Sequence, residues 1–377
     1  MIEVDVIVIG AGMAGASVAY FLAPHARVLV LEREGYVDMH STGRSAALFS
    51  ETYGSPKVRA LTRATRPFLA SPPAGFAAQP LLGPRGATII GNATQIDGVH
   101  ALYEAIVPFT RDIVLHDAAR LQVDVPVLKP EFAQIGLHEP RAADIDVNEL
   151  HQGFLRGLRA RGGALRLNVA IRSISRVAAG WEVDDGEQGF RAPLLLDAAG
   201  AWADEVAGLA GVKPLGLTPK RRSAFVFDPP EGLATAHWPF VTDYSESFYF
   251  KPDAGLLLGS CANADPVEPH DVQPEEYDIA LGIHRIEEAT SMTIRRPRRT
   301  WAGLRSFVAD LDLVGGFATD APGFFWVAAQ GGYGIQTSAA MGEACAHLAL
   351  GLPLPAPLVD AGLSAAMLAP RCWCGLR

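Results

Sequence analysis

The stretch that decides the fold is residues 4–32, which read VDVIVIGAGMAGASVAYFLAPHARVLVLE. Two apolar runs, Val6–Ile9 and Val28–Leu31, predict strands. Between them lie three glycines spaced Gly-x-Gly-x-x-Gly and a run of small residues that predicts a helix. An acidic residue, Glu32, follows the second run. Strand, glycine turn, helix, strand and acid together indicate a dinucleotide-binding unit.

Each glycine of this turn has a physical reason. Gly10 allows the tight turn, and Gly12 lets the backbone approach a pyrophosphate. Gly15 lets the helix pack closely on the sheet, and the free N–H groups of the helix N-terminus attract the phosphates. Glu32 lies 22 residues after Gly10, where a carboxylate accepts from ribose hydroxyls.

The same stretch has two other interpretations, a membrane span and a signal peptide. Residues 6–23 are uncharged and reach the length at which a span becomes conceivable. The glycine turn in the middle disfavours a span, and the acidic start, with Glu3 and Asp5, disfavours a signal peptide. We therefore keep the dinucleotide-binding unit and predict no integral membrane segment.

Composition restricts the function classes. The chain has 377 residues, of which 49% are hydrophobic, enough for two or three domains with well-formed cores. Its net charge of −9 disfavours nucleic-acid binding, and we interpret the arginine-rich residues 295–299 as a solvated face. Four cysteines are too few for a disulfide framework, and the ten histidines lack metal-ligand spacing. We interpret the stretch with Cys372 and Cys374 as a loose tail. We expect a cytoplasmic protein without a metal, and peripheral attachment at the inner membrane is the alternative.

The order of elements predicts an α/β protein with a discontinuous Rossmann-like cofactor domain and an inserted domain built on a mixed or antiparallel sheet. Strands alternate with helices at both ends of the chain, and β-rich stretches lie between them. We assign residues 1–47, 141–215 and 298–377 to the cofactor domain, and residues 48–140 and 216–297 to the substrate domain.

Two further stretches are candidates for cofactor contacts, and each has a purely structural alternative. Residues 40–47, with small and hydroxylated side chains, suit a second contact with a flavin, or an ordinary helix capped by Ser41 or Thr42. Near the other end of the chain, an apolar strand at residues 324–328 leads through the glycine loop 331–336 into a second helix. The N-terminus of that helix suits the pyrimidine edge of a flavin. The alternative is a tight turn without a ligand.

Two arginines are candidates for binding a substrate carboxylate, because the planar guanidinium grips both oxygens. Arg305 lies among apolar neighbours in a predicted strand, residues 301–307, and Arg222 opens another apolar strand. The alternative for each is a solvated or salt-bridged arginine. Tyr53 lies in a loop, residues 50–56, that is either a lid over the site or an ordinary surface loop.

With these motifs in place, the chain resembles the FAD-dependent D-amino-acid oxidase/dehydrogenase superfamily, which also includes glycine and sarcosine oxidases. Within it, the chain is most similar to the bacterial D-arginine dehydrogenases. The resemblance covers residues 1–370 and is most specific in residues 40–47, 219–225, 301–310 and 324–343. It implies a noncovalently bound FAD. The implied cofactor contacts are Gly10, Gly12, Ala14, Gly15, Glu32, Arg33, Ser41, Thr42, Ser45, Ala46, Val169, Ala199, Gly200, Trp202, Gly303, Gly331, Tyr333, Gly334, Ile335 and Gln336.

For the substrate, the resemblance implies that Arg222 and Arg305 bind the carboxylate, helped by the hydroxyls of Tyr53 and Tyr249. It also implies that the Gly332 carbonyl accepts from the amine, and that the Tyr53 loop is mobile. The implied pocket is completed by Leu48, Ala87, Phe240, Thr242 and Gln336.

Two positions depart from the arginine-preferring relatives, which carry an acidic residue at the position of Ala87 and a histidine at that of Leu48. Both residues are apolar here, so a cationic substrate side chain would enter the pocket without a charge partner, which is costly. We therefore expect a preference for neutral, apolar D-amino acids, which Phe240 and Thr242 on the pocket side would favour further.

The implied reaction is oxidative deamination: the α-hydrogen leaves as hydride to the flavin, and the imino acid hydrolyses to a 2-oxo acid and ammonia. No convincing general base is evident, because tyrosines are poor bases near neutral pH. The alternatives are a sarcosine-type secondary-amine oxidase, a 2-hydroxyacid dehydrogenase, and a flavoprotein that binds ligands without turnover. We expect a quinone or an artificial acceptor, rather than oxygen, to take the electrons.

Overall fold

A computed structural model of the chain describes residues 1–371, so Cys372 and Cys374 lie outside the described residues. Short 3₁₀ helices span Ser41–Arg44 and Gly200–Trp202. The strands, in chain order, are β1 (Ile2–Glu3), β2 (Val6–Ile9), β3 (Val28–Leu31), β4 (Leu48–Phe49), β5 (Leu82–Pro84), β6 (Ala87–Gly91), β7 (Val114–Asp117), β8 (Ile135–Glu139), β9 (Ala143–Ile145), β10 (Ala164–Arg166), β11 (Ser173–Val177), β12 (Gly180–Asp184), β13 (Gly189–Ala192), β14 (Leu194–Asp197), β15 (Thr218–Phe227), β16 (Phe240–Asp243), β17 (Tyr249–Asp253), β18 (Leu256–Ser260), β19 (Asp265–Pro266), β20 (Arg299–Phe307), β21 (Val314–Phe317) and β22 (Phe324–Ala328). The helices are α1 (Met13–Leu22), α2 (Pro56–Ala70), α3 (Ile96–Ile106), α4 (Ala118–Asp124), α5 (Val147–Ala160), α6 (Ala203–Leu209), α7 (Glu276–Ala289), α8 (Ser338–Ala349), α9 (Ala356–Asp360) and α10 (Ala365–Leu368).

The opening motif forms the centre of a six-stranded sheet with the order β10-β3-β2-β14-β22-β21. The first five strands run parallel, and β21 pairs antiparallel with β22 at the edge. Along β2, Val6 and Val8 pack in a cluster with α1, α5 and α8, whereas Ile7 and Ile9 pack against the sheet β1-β13-β12-β11. Since both faces of the parallel sheet are covered, its strands are apolar throughout rather than alternating.

A nine-stranded mixed sheet contributes another part of the cavity wall. Its order is β19-β15-β18-β17-β16-β6-β8-β7, and β20 pairs with the long strand β15. Strands β6 and β16 run parallel, and the other pairs are antiparallel. The predicted fold class, α/β with a Rossmann-like sheet and a separate mixed sheet, is confirmed.

Some elements are longer than their sequence patterns indicate. Strand β15 begins at Thr218 rather than at Arg222, because its pairing with β20 continues to Phe307. Helix α2 begins at Pro56, where the Ser55 side chain caps it by accepting from a backbone N–H. Strand β20 follows the boundary that we set at residue 298 and pairs along its length with the mixed sheet. The domain boundaries stay a prediction.

Within residues 1–371, no helix is long and apolar enough to cross a bilayer. In the same part of the chain, no group of three or more His, Cys, Asp or Glu side chains is placed to hold a metal ion. Cys261 and Cys345 are buried free thiols.

Candidate active site

A long cavity of about 740 Å³ runs from the glycine turn to the mixed sheet. Every site residue predicted from the sequence lines this cavity except Gly15, which lies behind the turn. The structure therefore brings together residues that are more than 300 positions apart in the chain, such as Gly10 and Gly332. Their individual roles stay predictions.

The glycine turn is shaped for the close approach of a ligand. Gly10 has a φ of +96°, and a Cβ there would lie 2.6 Å from the carbonyl oxygen of Ala198. A Cβ on Gly15 would lie 1.9 Å from the Gly10 carbonyl oxygen, which shows how tightly α1 packs on the turn. A Cβ on Gly12 would meet only the Thr42 hydroxyl, at 3.3 Å, within 4 Å. Gly12 therefore presents open backbone to the cavity.

Glu32 is held beside this turn at the carboxyl end of β3. Its Oε2 accepts from the Ala11 N–H at 2.7 Å, and its Oε1 accepts from the Glu34 N–H at 3.0 Å. A carboxylate offers about four lone-pair sites, so acceptor capacity remains on both oxygens for hydroxyl groups in the cavity.

Hydroxyl groups of the 3₁₀ helix Ser41–Arg44 join the turn to the mixed sheet. Thr42 Oγ1 accepts from the Met13 N–H at 3.0 Å, at the start of α1. Ser41 Oγ donates to the Leu304 carbonyl at 2.7 Å. Neither hydroxyl caps its own helix, whose N-cap residue is His40, so the alternative of a helix capped by Ser41 or Thr42 is wrong.

One end of the cavity is walled by rings and cations. The Arg33 guanidinium lies 4.6 Å from the centroid of the Trp202 ring, and the centroid of the His40 ring lies 4.6 Å from that of the same ring. His40 also contacts the Glu34 carboxylate at 3.0 Å. Our sequence analysis did not single out His40 as a site residue, since a histidine in a polar turn has no distinguishing neighbour in the sequence.

The two arginines lie side by side because of strand register. In the ladder between β15 and β20, Arg222 lies opposite Gly303, and Arg305 follows two residues later on the same face. Arg222 Nε donates to the Asn263 carbonyl at 2.6 Å, and Arg305 Nη1 donates to Tyr53 Oη at 3.3 Å.

Neither guanidinium forms an ion pair with any residue in 1–371. Burial lowers the pKa of Arg222, and the neighbouring charge of Arg305 lowers it further. The salt-bridged alternative is wrong for both residues within that range. The cavity holds two adjacent, largely buried positive charges without an ion-pair partner in residues 1–371, and the charge of the Glu246 carboxylate favours the charged form of Arg222 only weakly.

Aromatic rings and bare backbone enclose these charges. The Tyr53 and Tyr333 rings lie 5.2 Å apart, and Tyr249 lies 6.0 Å from the Arg222 guanidinium. A Cβ on Gly332 would lie 2.9 Å from Arg305 Nη1, so this glycine lets the loop approach the guanidinium. Burial raises the pKa of Tyr333 far above its ordinary value, so its hydroxyl stays neutral.

An apolar wall lies beside the arginines. Phe240 stacks on Tyr249 at 5.2 Å, and it lies opposite Ala87 where β16 meets β6. Thr242 donates its hydroxyl to the Phe248 carbonyl at 2.8 Å. Leu48, on β4, also lines the cavity.

Among the cavity-lining residues that our sequence analysis missed are Arg59 of α2 and the exposed carboxylate Glu246. Both are charged side chains of ordinary surface appearance in the sequence. Only the chain path brings them to the cavity.

The Gln336 side chain is engaged by protein on both atoms. Its Oε1 accepts from the Ser50 N–H at 3.3 Å, and its Nε2 donates to Thr62 Oγ1 at 3.0 Å. Gln336 is 3% exposed, so it mainly fixes the wall of the cavity.

The residues present fit FAD. The open backbone at Gly12 suits the pyrophosphate, and the remaining lone pairs of Glu32 suit ribose hydroxyls. The cavity continues from there to the loop at Gly331, next to the arginines, as an extended dinucleotide requires.

Comparison with known proteins agrees with this fit. The family model described as FAD dependent oxidoreductase matches residues 5–348. The chain is 24% identical to FAD-dependent oxidoreductase domain-containing protein 1 of Bos taurus over 92% of this chain and 81% of that protein. It is 26% identical to sarcosine oxidase subunit beta of Rhizobium meliloti over 81% of this chain and 75% of that protein. Glycine oxidase from Geobacillus kaustophilus superposes with a TM-score of 0.84 at 19% identity, over 98% of this chain and 99% of that one. A closer likeness to D-arginine dehydrogenases stays a prediction. Because the family model matches nearly the whole chain, the protein belongs to the family of FAD-dependent oxidoreductases and is a flavoprotein enzyme.

Proposed function

We infer that the protein oxidises D-amino acids with neutral, apolar side chains to imino acids, which water hydrolyses to 2-oxo acids and ammonia. The observation that carries this proposal is the pair Arg222 and Arg305, two adjacent guanidiniums without an ion-pair partner within residues 1–371. Buried charges of one sign are costly unless a ligand of the opposite sign completes them. A substrate carboxylate is such a ligand.

The chain supplies binding and orientation. Arg222 and Arg305 hold the carboxylate, and the Tyr53 and Tyr249 hydroxyls donate to it from two sides. The Gly332 carbonyl accepts from the amine. FAD held in this cavity would supply the acceptor for the hydride that leaves the α-carbon.

The side-chain preference rests on the wall beside the arginines. Ala87, Phe240 and Leu48 offer apolar surface and no charge, so burying a hydrocarbon side chain there is favourable. Glu246 lies exposed in the cavity lining and supports a second candidate, a long basic side chain that reaches the rim. A panel of D-leucine, D-methionine, D-phenylalanine and D-arginine separates the two: the highest kcat/KM for D-arginine would refute the apolar preference.

Anaerobic mixing tests the reaction itself. We expect D-amino acids, but not their L-isomers, to bleach the yellow flavin of the holoenzyme. Bleaching by sarcosine or by a 2-hydroxy acid instead would favour the alternatives on this fold, and sarcosine oxidase subunit beta is one relative of that kind. No bleaching by any amine or hydroxy acid would favour a binding protein without turnover.

The electron acceptor is tested with the same substrate. We propose that a quinone or an artificial dye reoxidises the enzyme faster than oxygen does, in the cytoplasm or at the inner membrane surface. Equal turnover with oxygen alone would contradict this.

A further inference from the structure

A buried carboxylate outside the cavity holds the chain segment that leads to Tyr53. Glu139, the last residue of β8, is 1% exposed. Its Oε2 accepts from Ser50 Oγ at 2.7 Å and from Thr52 Oγ1 at 2.9 Å. Its Oε1 accepts from the Glu51 N–H at 2.8 Å, and the Thr52 N–H reaches Oε2 at 3.4 Å. We refer to Glu139 with residues 50–52 as the Glu139 clamp.

The hydrogen bonds of Glu139 hold residues 50–52 in place and leave Glu139 little capacity to bind a ligand. Glu139 lies opposite Ala87 in the ladder of β6 and β8, so its side chain is on the cavity face of the sheet. Among the described residues, Ser50 and Thr52 line the cavity, whereas Glu139 does not. Its oxygens are already occupied by two hydroxyls and two backbone N–H groups, which leaves little capacity for a substrate.

Residues 50 and 51 make two further contacts outside the Glu139 clamp. The Glu51 carboxylate pairs with the Arg66 guanidinium of α2. The Ser50 N–H donates to Gln336 Oε1 at 3.3 Å, which links the segment to the glycine loop before α8.

Tyr53 comes directly after the clamp. Its hydroxyl is the hydrogen-bond partner of Arg305 Nη1, and its ring packs on Tyr333. Gly54, which follows with a φ of +88°, adopts a backbone conformation that glycine favours. Tyr53 thus lies between the Glu139 clamp and a glycine in the left-handed conformation.

We propose that Glu139 is a positioning residue: by ordering residues 50–52 it keeps Tyr53 against Arg305 and so sets the affinity of the site for the substrate carboxylate. The link to a carboxylate rests on the proposed function. The ordering of residues 50–52 does not, and it is measured without substrate.

Hydrogen–deuterium exchange of the holoenzyme tests the ordering. Both backbone donors of the clamp, Glu51 and Thr52, lie in a peptide that covers residues 48–56. In Glu139→Gln we expect this peptide to exchange at least about tenfold faster, because the glutamine amide places an NH₂ group where one carboxyl oxygen accepts and hydrogen bonds of the clamp are lost. The control is Glu343→Gln on α8, a partly buried carboxyl whose pKa, like that of Glu139, is raised by burial and which does not line the cavity. It should leave the exchange of residues 48–56 unchanged.

A second pair of variants covers the case in which Glu139→Gln does not fold. Thr52→Val removes one donor hydroxyl, and Thr52→Ser keeps it. We expect faster exchange in residues 48–56 for the valine variant and protection close to that of the wild type for the serine variant. Equal exchange in the two variants, or unchanged exchange in Glu139→Gln, would overturn the ordering.

Kinetics test the consequence. With a D-amino acid that reduces the flavin, Glu139→Gln should raise KM about tenfold and change kcat far less, because binding rather than chemistry depends on the clamp. In a double-mutant cycle, adding Tyr53→Phe to Glu139→Gln should cost much less than Tyr53→Phe alone. Additive losses would overturn the positioning role even if exchange increases. Failure of every D-amino acid as substrate would refute the proposed function and leave the exchange result standing.

Discussion

Replacement of Arg305 by methionine should change activity and stability in opposite directions. In the free protein this guanidinium lies next to Arg222, has Tyr53 Oη as a hydrogen-bond acceptor at 3.3 Å, and has no ion-pair partner within residues 1–371. Methionine fills a similar volume without a charge. In the free protein, the substitution removes the free-energy cost of burying the Arg305 charge. In the complex, it removes the attraction between this charge and the substrate carboxylate.

The magnitudes follow from the burial and the missing partner. Replacement of buried ion pairs by apolar side chains of similar volume is often neutral or stabilising by about 1–4 kcal/mol, and we expect the same direction for a buried charge without a partner. Loss of one partner of a desolvated, charge-assisted pair costs about 2–4 kcal/mol of binding, which is roughly 30- to 1000-fold in kcat/KM. We expect Arg305→Met to melt at a temperature equal to or above that of the wild type while its kcat/KM falls within this range.

Two measurements check this expectation. Steady-state turnover of a D-amino acid with a dye acceptor gives kcat/KM, and thermal unfolding of the holoenzyme gives the change in stability. Arg299→Met is the matched control, because Arg299 begins the same strand and is exposed. It should change neither quantity. If Arg305→Met unfolds earlier and retains its kcat/KM, Arg305 has a structural role and the carboxylate site is wrong.

Three further predictions concern the cofactor turn, the pH dependence of stability and the pocket. Gly15→Ala should prevent folding, because its Cβ would lie 1.9 Å from a backbone oxygen, whereas Gly12→Ala, which meets only a hydroxyl at 3.3 Å, should fold and lose flavin on gel filtration. If both variants retain flavin, the glycine turn is not the part of the chain that binds the cofactor. Burial lowers the pKa of His138 from 6.5 to about 4. Between these pH values, His138 is protonated in the unfolded chain and neutral in the folded chain. Stability should therefore fall as pH decreases from 6.5 to 4, by up to about 3 kcal/mol, and urea unfolding of His138→Gln should show a correspondingly flatter dependence. Ala87→Glu should raise kcat/KM for D-arginine relative to D-leucine by about tenfold or more, since it supplies a charge partner, and an unchanged ratio would contradict the pocket assignment.

The cofactor half of the site could be predicted from the sequence because its determinants are local. The turn Gly10–x–Gly12–x–x–Gly15 and the two strands beside it lie within one short stretch, and each residue type there has a single backbone or packing requirement. The face shared by Gly303 and Arg305 could also be predicted, since alternate residues of a strand point to the same side. Local period and turn chemistry were sufficient in both cases.

Contacts between distant segments could not be predicted in this way. Ser41 donates to a carbonyl 263 residues away, and Ser50 donates to a carboxylate 89 residues away. Glu139 ends a strand and precedes a proline, which in a sequence is the pattern of an exposed carboxylate. Its burial follows only from the path of residues 50–52 across the end of the mixed sheet. No propensity or spacing contains that information.

The paired arginines also bear on the missing general base. Arg222 and Arg305 place two positive charges beside one substrate carboxylate, whereas the Glu246 carboxylate of the cavity lining is exposed. A like charge nearby lowers the pKa of an ammonium group. We therefore expect the substrate amine to lose its proton to water on binding, without help from Tyr333, whose pKa is raised by burial. The pH profile of kcat/KM should then report the amine of the substrate. It should move when the amine pKa of the substrate changes and stay in place in Tyr53→Phe. A profile that shifts in Tyr53→Phe would show that the tyrosine takes the proton, and the electrostatic account of deprotonation would be wrong.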